Sequence, residues 1–268
     1  AKVVLDSAGL SALRLAEVRA TGAAPILVAG VALRRPSTLR TPRGELGSLV
    51  EAERLGDFLT RRGLVEAAAH GLSRPLAGDR AGARAALDLD DRPTLLFVGR
   101  IQPLKGLTIA VQALAELTDR RSRLVVVGGP SGSDGPDELA RVRSMIAELG
   151  LRDRVSFVEP QPHHRLSTFY RAADVVVVPS RSESFGLVAL EAQACSTPVV
   201  ASAVGGLRYV VDDGVTGHLV EGHDPGDHAE RILAVLGDPQ GRRRMGEAAV
   251  ARSLGFSWDA TATGMLAV

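Results

Sequence analysis

The sequence predicts an α/β protein built on a doubly wound parallel sheet, and a few features of its second part carry that prediction. From residue 94 onward, short Val-rich runs alternate with stretches of helical length and period. The runs lack polar alternation, as strands buried on both faces do. Their order, strand then helix repeated, calls for parallel strands joined by helical crossovers. Right-handed crossovers then cover both faces of a Rossmann-like sheet.

The predicted strands are Thr94–Val98, Arg123–Val127, Arg154–Val158, Asp174–Val178 and Pro198–Ala201. Gly106–Leu117, Asp137–Leu149, His163–Ala172 and Gly186–Cys195 are the helices between them. A glycine turn at Gly205-Gly206 follows, then a short strand over Gly217–Val220 and helices over Pro225–Leu236 and Gln240–Leu254. Trp258–Leu266 reads as one more helix, with Ser257 as its N-cap. The first part of the chain is different. Lys2–Leu5 and Pro25–Val31 read as strands, Leu10–Arg19 and Leu49–Ala69 as helices, and the basic, proline-containing Arg34–Arg43 as a loop. That is too little for a second doubly wound domain. We therefore divide the chain into a small, atypical α/β segment, 1–77, and a ligand-binding domain, 78–268.

Composition narrows the function classes. The chain has 268 residues, 45% of them hydrophobic, which suffices for a sizeable core. Aromatics are only 3%, so that core is built from Val, Leu, Ile and Ala. Lys and Arg number 32 against 31 Asp and Glu, a net charge of +1 that argues against a nucleic-acid partner. Arg34-Arg35 and Arg242-Arg243-Arg244 read as solvated surface. The lone Cys195 excludes a disulfide framework and reads as a buried thiol. No apolar run reaches the ~18 residues that span a bilayer, and no signal segment opens the sequence. The expectation is a soluble, cytoplasmic protein with no membrane partner.

The chemistry gathers in loops that follow strands. Ser182-Glu183-Ser184-Phe185-Gly186-Leu187 leads from the strand ending at Val178 into a helix carrying Glu191. A helix start after a polar, glycine-containing turn presents unpaired N–H groups and a positive dipole end, which suit phosphate. Glu183 stands before that helix and Glu191 about two turns inside it, so two carboxylates can reach separate hydroxyl-bearing parts of one ligand. The alternative reading is a capped helix with two solvated acids. Val98-Gly99-Arg100-Ile101-Gln102-Pro103-Leu104-Lys105-Gly106 supplies two cations after the first strand, Arg100 as a planar fork and Lys105 as a point charge. Both suit a diphosphate and can offset leaving-group charge. Gly128-Gly129-Pro130-Ser131-Gly132-Ser133 and Ala203-Val204-Gly205-Gly206 allow close backbone approach after two further strands. All lie where open α/β sheets bind ligands, at the strands' C-terminal edge.

On these residues, 78–266 resembles the C-terminal, donor-binding domain of the retaining GT-B glycosyltransferases. Glu183 and Glu191 match that family's E-x7-E motif. The segments Phe97–Lys105, Gly128–Ser133 and Ser182–Cys195, with Phe256-Ser257-Trp258, read most like members of the mycothiol pathway. The resemblance implies a UDP-sugar donor, UDP-N-acetylglucosamine, and an inositol phosphate or similar small hydroxyl acceptor. It implies that Arg100, Lys105 and Glu183 are catalytic. Arg100 and Lys105 would hold the diphosphate, Glu183 the sugar hydroxyls and Glu191 the ribose hydroxyls. Gly99, Gly129, Pro130, Ser131, Ser184, Phe185, Gly186 and Leu187 would bind sugar and phosphates. Pro160, Gln161 and Arg165 would lie by the uracil. Retention of configuration by a front-side mechanism is implied, with no cofactor and no metal. Asp88-Leu89-Asp90 imitates a metal motif of another glycosyltransferase fold, but it precedes the first strand and reads as a solvated turn.

The pattern also departs from the family. Arg181 stands where its relatives carry an aromatic, and Ser196 where a glycine is usual. A family acceptor domain is not visible in 1–77, so a separate acceptor half or a homo-oligomer would complete the cleft. The alternative is a non-catalytic remnant that still binds nucleotide sugar. Val3–Leu13 resembles the opening strand and helix of PIN-type ribonucleases, with Asp6 as a metal-binding acid, but the segment is too short for a complete domain of that kind. A nuclease would need RNA cleavage that disappears in Asp6→Ala.

Overall fold

The computed structural model describes residues 80–256. The expectations for 1–77, for Asp6 and for the Ser257-capped helix lie outside them. In order, the elements are α1 (Arg80–Ala86), β1 (Thr94–Val98), a 3-10 turn (Pro103–Lys105), α2 (Leu107–Glu116), β2 (Arg123–Val127), α3 (Gly135–Glu148), β3 (Val155–Val158), α4 (His163–Ala172), β4 (Val175–Val178), α5 (Leu187–Ala194), β5 (Val199–Ser202), α6 (Leu207–Val210), β6 (Gly217–Val220), α7 (Pro225–Gly237) and α8 (Pro239–Ser253).

The strands form one six-stranded sheet in the order β3-β2-β1-β4-β5-β6. Every pairing is parallel. The α/β doubly wound prediction therefore holds, and the chain reverses its direction of sheet growth between β1 and β4. At that switch point adjacent loops diverge and leave a crevice at the C-terminal edge. β1 (TLLFV), β2 (RLVVV), β4 (VVVV) and β5 (VVAS) are almost wholly buried, which explains their continuous apolar runs. β3 forms a sheet edge and is only partly covered.

Helices lie on both faces. α2 packs against α7 and α3 on one side, while α1 packs on α4 and α5 on α8 on the other. Leu95, Phe97, Leu114, Leu124, Val142 and Ile232 belong to the main core cluster. α3 begins at Gly135, ahead of the expected Asp137, because Pro136 fits the first turn, where an N–H has no helical partner anyway. α1 and α6 were not anticipated. No helix among the described residues is long and apolar enough to cross a membrane.

The N-terminal edge of the sheet is tied by charge. Asp174, 3% exposed, accepts the Thr94 N–H at 2.8 Å and an ion pair from Arg242 Nη1 at 2.8 Å. Arg84 Nη2 lies 3.3 Å away, and Arg80 also pairs with it. One carboxylate thus joins α1, β1 and α8 at the foot of β4. Arg242 is not merely part of a solvated basic run: burial lowers its pKa, and its partner is among the most buried acids of the fold. Asp90 of the Asp88-Leu89-Asp90 stretch pairs with Arg92 at 2.9 Å and Arg123 at 3.1 Å at this same edge, away from the crevice.

Candidate nucleotide-sugar site

The loop after β1 and the loop after β4 meet across the switch point. Lys105 Nζ donates to Glu183 Oε2 at 2.7 Å, and Ser180 Oγ lies 3.5 Å from the same oxygen. The two charged side chains retain 24% and 18% exposure, so the pair faces the crevice without being sealed in it. The Arg181 N–H donates to Leu104 O at 2.8 Å, a second tie between the loops. Gly106 makes this approach possible. Its φ is +69°, and a Cβ there would sit 2.0 Å from Pro179 O. Arg100, by contrast, is exposed and forms no ion pair with any described residue.

The loop after β5 braces Glu183 from its other side. The Gly206 N–H donates to Glu183 O at 3.0 Å. Gly205 has φ +48°, and an added Cβ would meet Glu183 O at 1.9 Å. Backbone contact fixes the chain around Glu183, so its carboxylate is aimed by its surroundings rather than by its own rotamer freedom. Ser184 is exposed and Phe185 half-buried in the same turn. Gly186, at φ +100°, precedes α5 as an N-cap without a side-chain hydrogen bond. The first turn of α5, from Leu187, keeps backbone donors and the positive dipole end available to an anion.

The loop after β2 lies beside the loop after β1. The Gly99 N–H donates to Val127 O at 3.0 Å, and that of Ile101 donates to Gly129 O at 2.8 Å. Gln102 Nε2 donates to Ser131 O at 2.9 Å. Pro130 pairs with Ile101 in an isolated parallel bridge. Gly99, Gly129, Pro130 and Ser131 are thereby brought to the edge that carries Lys105. Pro160 and Gln161 follow β3, with Gln161 Nε2 turned back onto Glu159 O at 2.9 Å. Arg165 is exposed in the first turn of α4.

Glu191 sits inside α5 and is held from α4. Tyr170 Oη donates to Glu191 Oε2 at 2.7 Å, and His163 Nε2 lies 2.9 Å from Glu191 Oε1. Burial, with negative Glu191 beside it, pushes the Tyr170 phenol well above its usual value, so it remains a donor. The hydrogen bond to Glu191 raises the His163 pKa against the opposing effect of burial. Sequence reading placed His163 and Tyr170 only within a helix. Their seven-residue spacing, two turns of one face, was the available signal. Cys195, at the end of α5, is buried and its thiol is pushed up to about 12, which makes it unreactive.

Residues 79–252 match the family Glycosyl transferases group 1. This chain belongs to that family. Among its curated relatives, the D-inositol 3-phosphate glycosyltransferase of Frankia alni is 56% identical over 198 residues, covering 70% of this chain and 48% of that protein. The enzyme of the same name from Nocardia farcinica is 54% identical over 202 residues, 73% of this chain and 44% of that one. This group 1 chain therefore spans about half the length of the curated relatives it matches. Solved structures agree on the fold. Sucrose-phosphate synthase from Thermosynechococcus elongatus superposes with a TM-score of 0.65 at 43% identity, covering 69% of this chain and 47% of its own. Anabaena HepE in complex with UDP gives a TM-score of 0.65 at 26% identity, covering 69% and 50%. These superpositions agree with the doubly wound α/β fold described above.

Proposed function

We propose that this chain binds a UDP-sugar, UDP-N-acetylglucosamine, as the donor half of a retaining, metal-independent glycosyltransferase whose acceptor is an inositol phosphate. The observation that carries this reading is the meeting of Lys105 and Glu183 at 2.7 Å across the β1/β4 switch point. A cation for phosphate and a carboxylate for sugar hydroxyls stand side by side where the fold places its ligand. Arg100 adds a second cation at the same edge, without an ion pair among the described residues. Glu191, about two turns into α5, takes the ribose hydroxyls, and Pro160, Gln161 and Arg165 flank the uracil.

In the proposed reaction the bond between the sugar's anomeric carbon and the diphosphate oxygen breaks. The acceptor oxygen bonds to the same carbon on the same face, and its proton passes to the departing diphosphate. Lys105, Arg100 and the start of α5 stabilise the negative charge that develops on UDP, which is where fixed charges contribute most. An acceptor-binding surface must face the crevice for this step, because transfer depends on holding both reactants in register. A separate acceptor half or a second copy of the chain would supply it.

Two measurements test this. Calorimetry with UDP, UDP-glucose and UDP-N-acetylglucosamine should show binding of all three, tightest for the last; absence of UDP binding sinks the reading. Incubation with UDP-N-acetylglucosamine and inositol phosphate should yield a retained glycosidic product once an acceptor domain is supplied. Nucleotide-sugar binding without transfer under that condition would leave a binding remnant as the correct description.

A further inference from the structure

Glu191 spends part of its hydrogen-bonding capacity inside the protein, and the arrangement says what the rest is for. An ionised carboxylate offers about four acceptor positions. Tyr170 Oη takes one on Oε2 at 2.7 Å, and His163 Nε2 takes one on Oε1 at 2.9 Å. One internal partner on each oxygen fixes the rotation of the carboxylate plane. One acceptor position then remains on each oxygen, and the side chain is still 12% exposed. Two acceptors on adjacent oxygens match the spacing of a vicinal diol.

The supports are themselves anchored. Tyr170 is 2% exposed, and its carbonyl accepts the Thr197 hydroxyl at 2.7 Å, which ties α4 to the end of α5. His163 is the first residue of α4, so the helix start sets its backbone. Neither residue reaches the Lys105–Glu183 pair.

We infer that His163 and Tyr170 are positioning residues that preset the Glu191 carboxylate to accept both hydroxyls of the nucleotide's ribose. This rests on the reading of Glu191 as the ribose-binding acid. The ribose preference of the site then belongs to a triad assembled from two helices, not to one acid. Removing either support leaves the carboxylate free to rotate and reduces the discrimination between ribose and a sugar lacking hydroxyls.

The test compares UDP with 2′,3′-dideoxy-UDP on the full chain by calorimetry, in the wild type, Tyr170→Phe, His163→Ala and His163→Gln. The wild type should favour UDP by about tenfold to a hundredfold, as hydrogen bonds to a charged group do. Tyr170→Phe and His163→Ala should each shrink that ratio by about tenfold through weaker UDP binding, with dideoxy-UDP affinity unchanged. His163→Gln, which restores an N–H near the Nε2 position, should recover most of the ratio. A wild-type ratio near one overturns the ribose role of Glu191 and this inference with it. A wild-type preference that persists in both variants overturns the positioning role alone. Tighter UDP binding by His163→Ala also overturns it, since His163 would then obstruct the acid. Because the His163 variants alter a side chain that is 27% exposed, against the buried Tyr170, they decide the matter even if Tyr170→Phe fails to fold.

Discussion

Lys105 and Glu183 are 78 residues apart in the chain and 2.7 Å apart across the switch point of the sheet. Each is the other's partner in the structure, so under the proposed function an incoming diphosphate would compete with Glu183 for the same ammonium. Lys105→Met should therefore weaken UDP binding by about tenfold or more, since a charge-assisted contact is lost. Glu183→Gln should leave UDP binding intact or improve it by about twofold to fivefold, because a partly exposed ion pair no longer has to be broken. The same substitution should weaken binding of the intact sugar nucleotide relative to UDP. Calorimetry on both variants checks the pair; equal losses for UDP in the two would count against this competition.

Gly106 should tolerate no side chain. Its positive φ and the 2.0 Å approach of a hypothetical Cβ to Pro179 O leave backbone, not a movable side chain, as the obstacle. Gly106→Ala should cost about 3 kcal/mol, within the range of strained or overpacked backbone sites. Denaturant titration gives the value. A loss below about 0.5 kcal/mol, the usual range for surface changes, would mean that the loops do not approach as closely as described.

Ser196 is a correctable imperfection. It ends α5 with φ +61°, one of the described non-glycine residues with positive φ. The Ser196 N–H donates to Gln193 O at 2.9 Å and that of Thr197 to Ala192 O at 3.0 Å, the pattern in which glycine normally occupies this position. Ser196→Gly should raise stability by about 1 kcal/mol by relieving left-handed strain. An unchanged or lowered melting temperature would show that the serine is accommodated without strain.

His228 sets a limit on the acid side. It is fully buried, with Nδ1 2.8 Å from Asp224 O and Nε2 3.2 Å from Ser202 Oγ. The carbonyl can only accept, so Nδ1 carries the proton and Nε2 accepts from the hydroxyl in the neutral ring. Burial lowers the His228 pKa below its ordinary 6.5. The unfolded chain therefore binds this proton first as pH falls. Stability should drop from about pH 6.5 downward through the folded pKa, by about 1.4 kcal/mol for each unit of depression. His163 acts in the opposite sense. Its raised pKa gives a contribution fully present below about 6.5 that fades as pH rises through the folded value. Melting temperatures between pH 7.5 and 5.5 should fall in the wild type and fall less in His228→Asn. Identical slopes would assign the acid sensitivity to other groups.

The sequence announced the strands because Leu95, Val125, Val176 and Val200 sit in runs buried on both faces, leaving a continuous apolar signal. It also announced the loops after β1 and β4, where glycine, cations and acids follow a strand. α1 was invisible because Arg80–Ala86 is short, has Ala83 as its buried residue and carries its arginines toward Asp174. α6 spans only Leu207–Val210, too short for a period to register. Partner choice was harder still. That Lys105 faces Glu183 depends on β4 inserting beside β1. That Glu191 is held by His163 and Tyr170 depends on how α4 packs beside α5. Neither follows from local pattern, since both are set by the topology that the whole core selects. The glycine-to-serine departure at residue 196 did point to a real backbone feature, although its sign of φ came only from the structure.

Asp174 and its arginines fasten the helices at the opposite edge from the crevice loops. What keeps the domain folded and what it recognises are thereby lodged at different ends of the same strands. A substitution among the crevice loops can retune the ligand without touching the buried charge that secures α1 and α8. The reverse also holds: damage at Asp174 would lower the amount of folded protein while leaving the selectivity of the surviving molecules alone. Such a division lets one scaffold be handed from sugar to sugar over evolutionary time, with its foundation left in place.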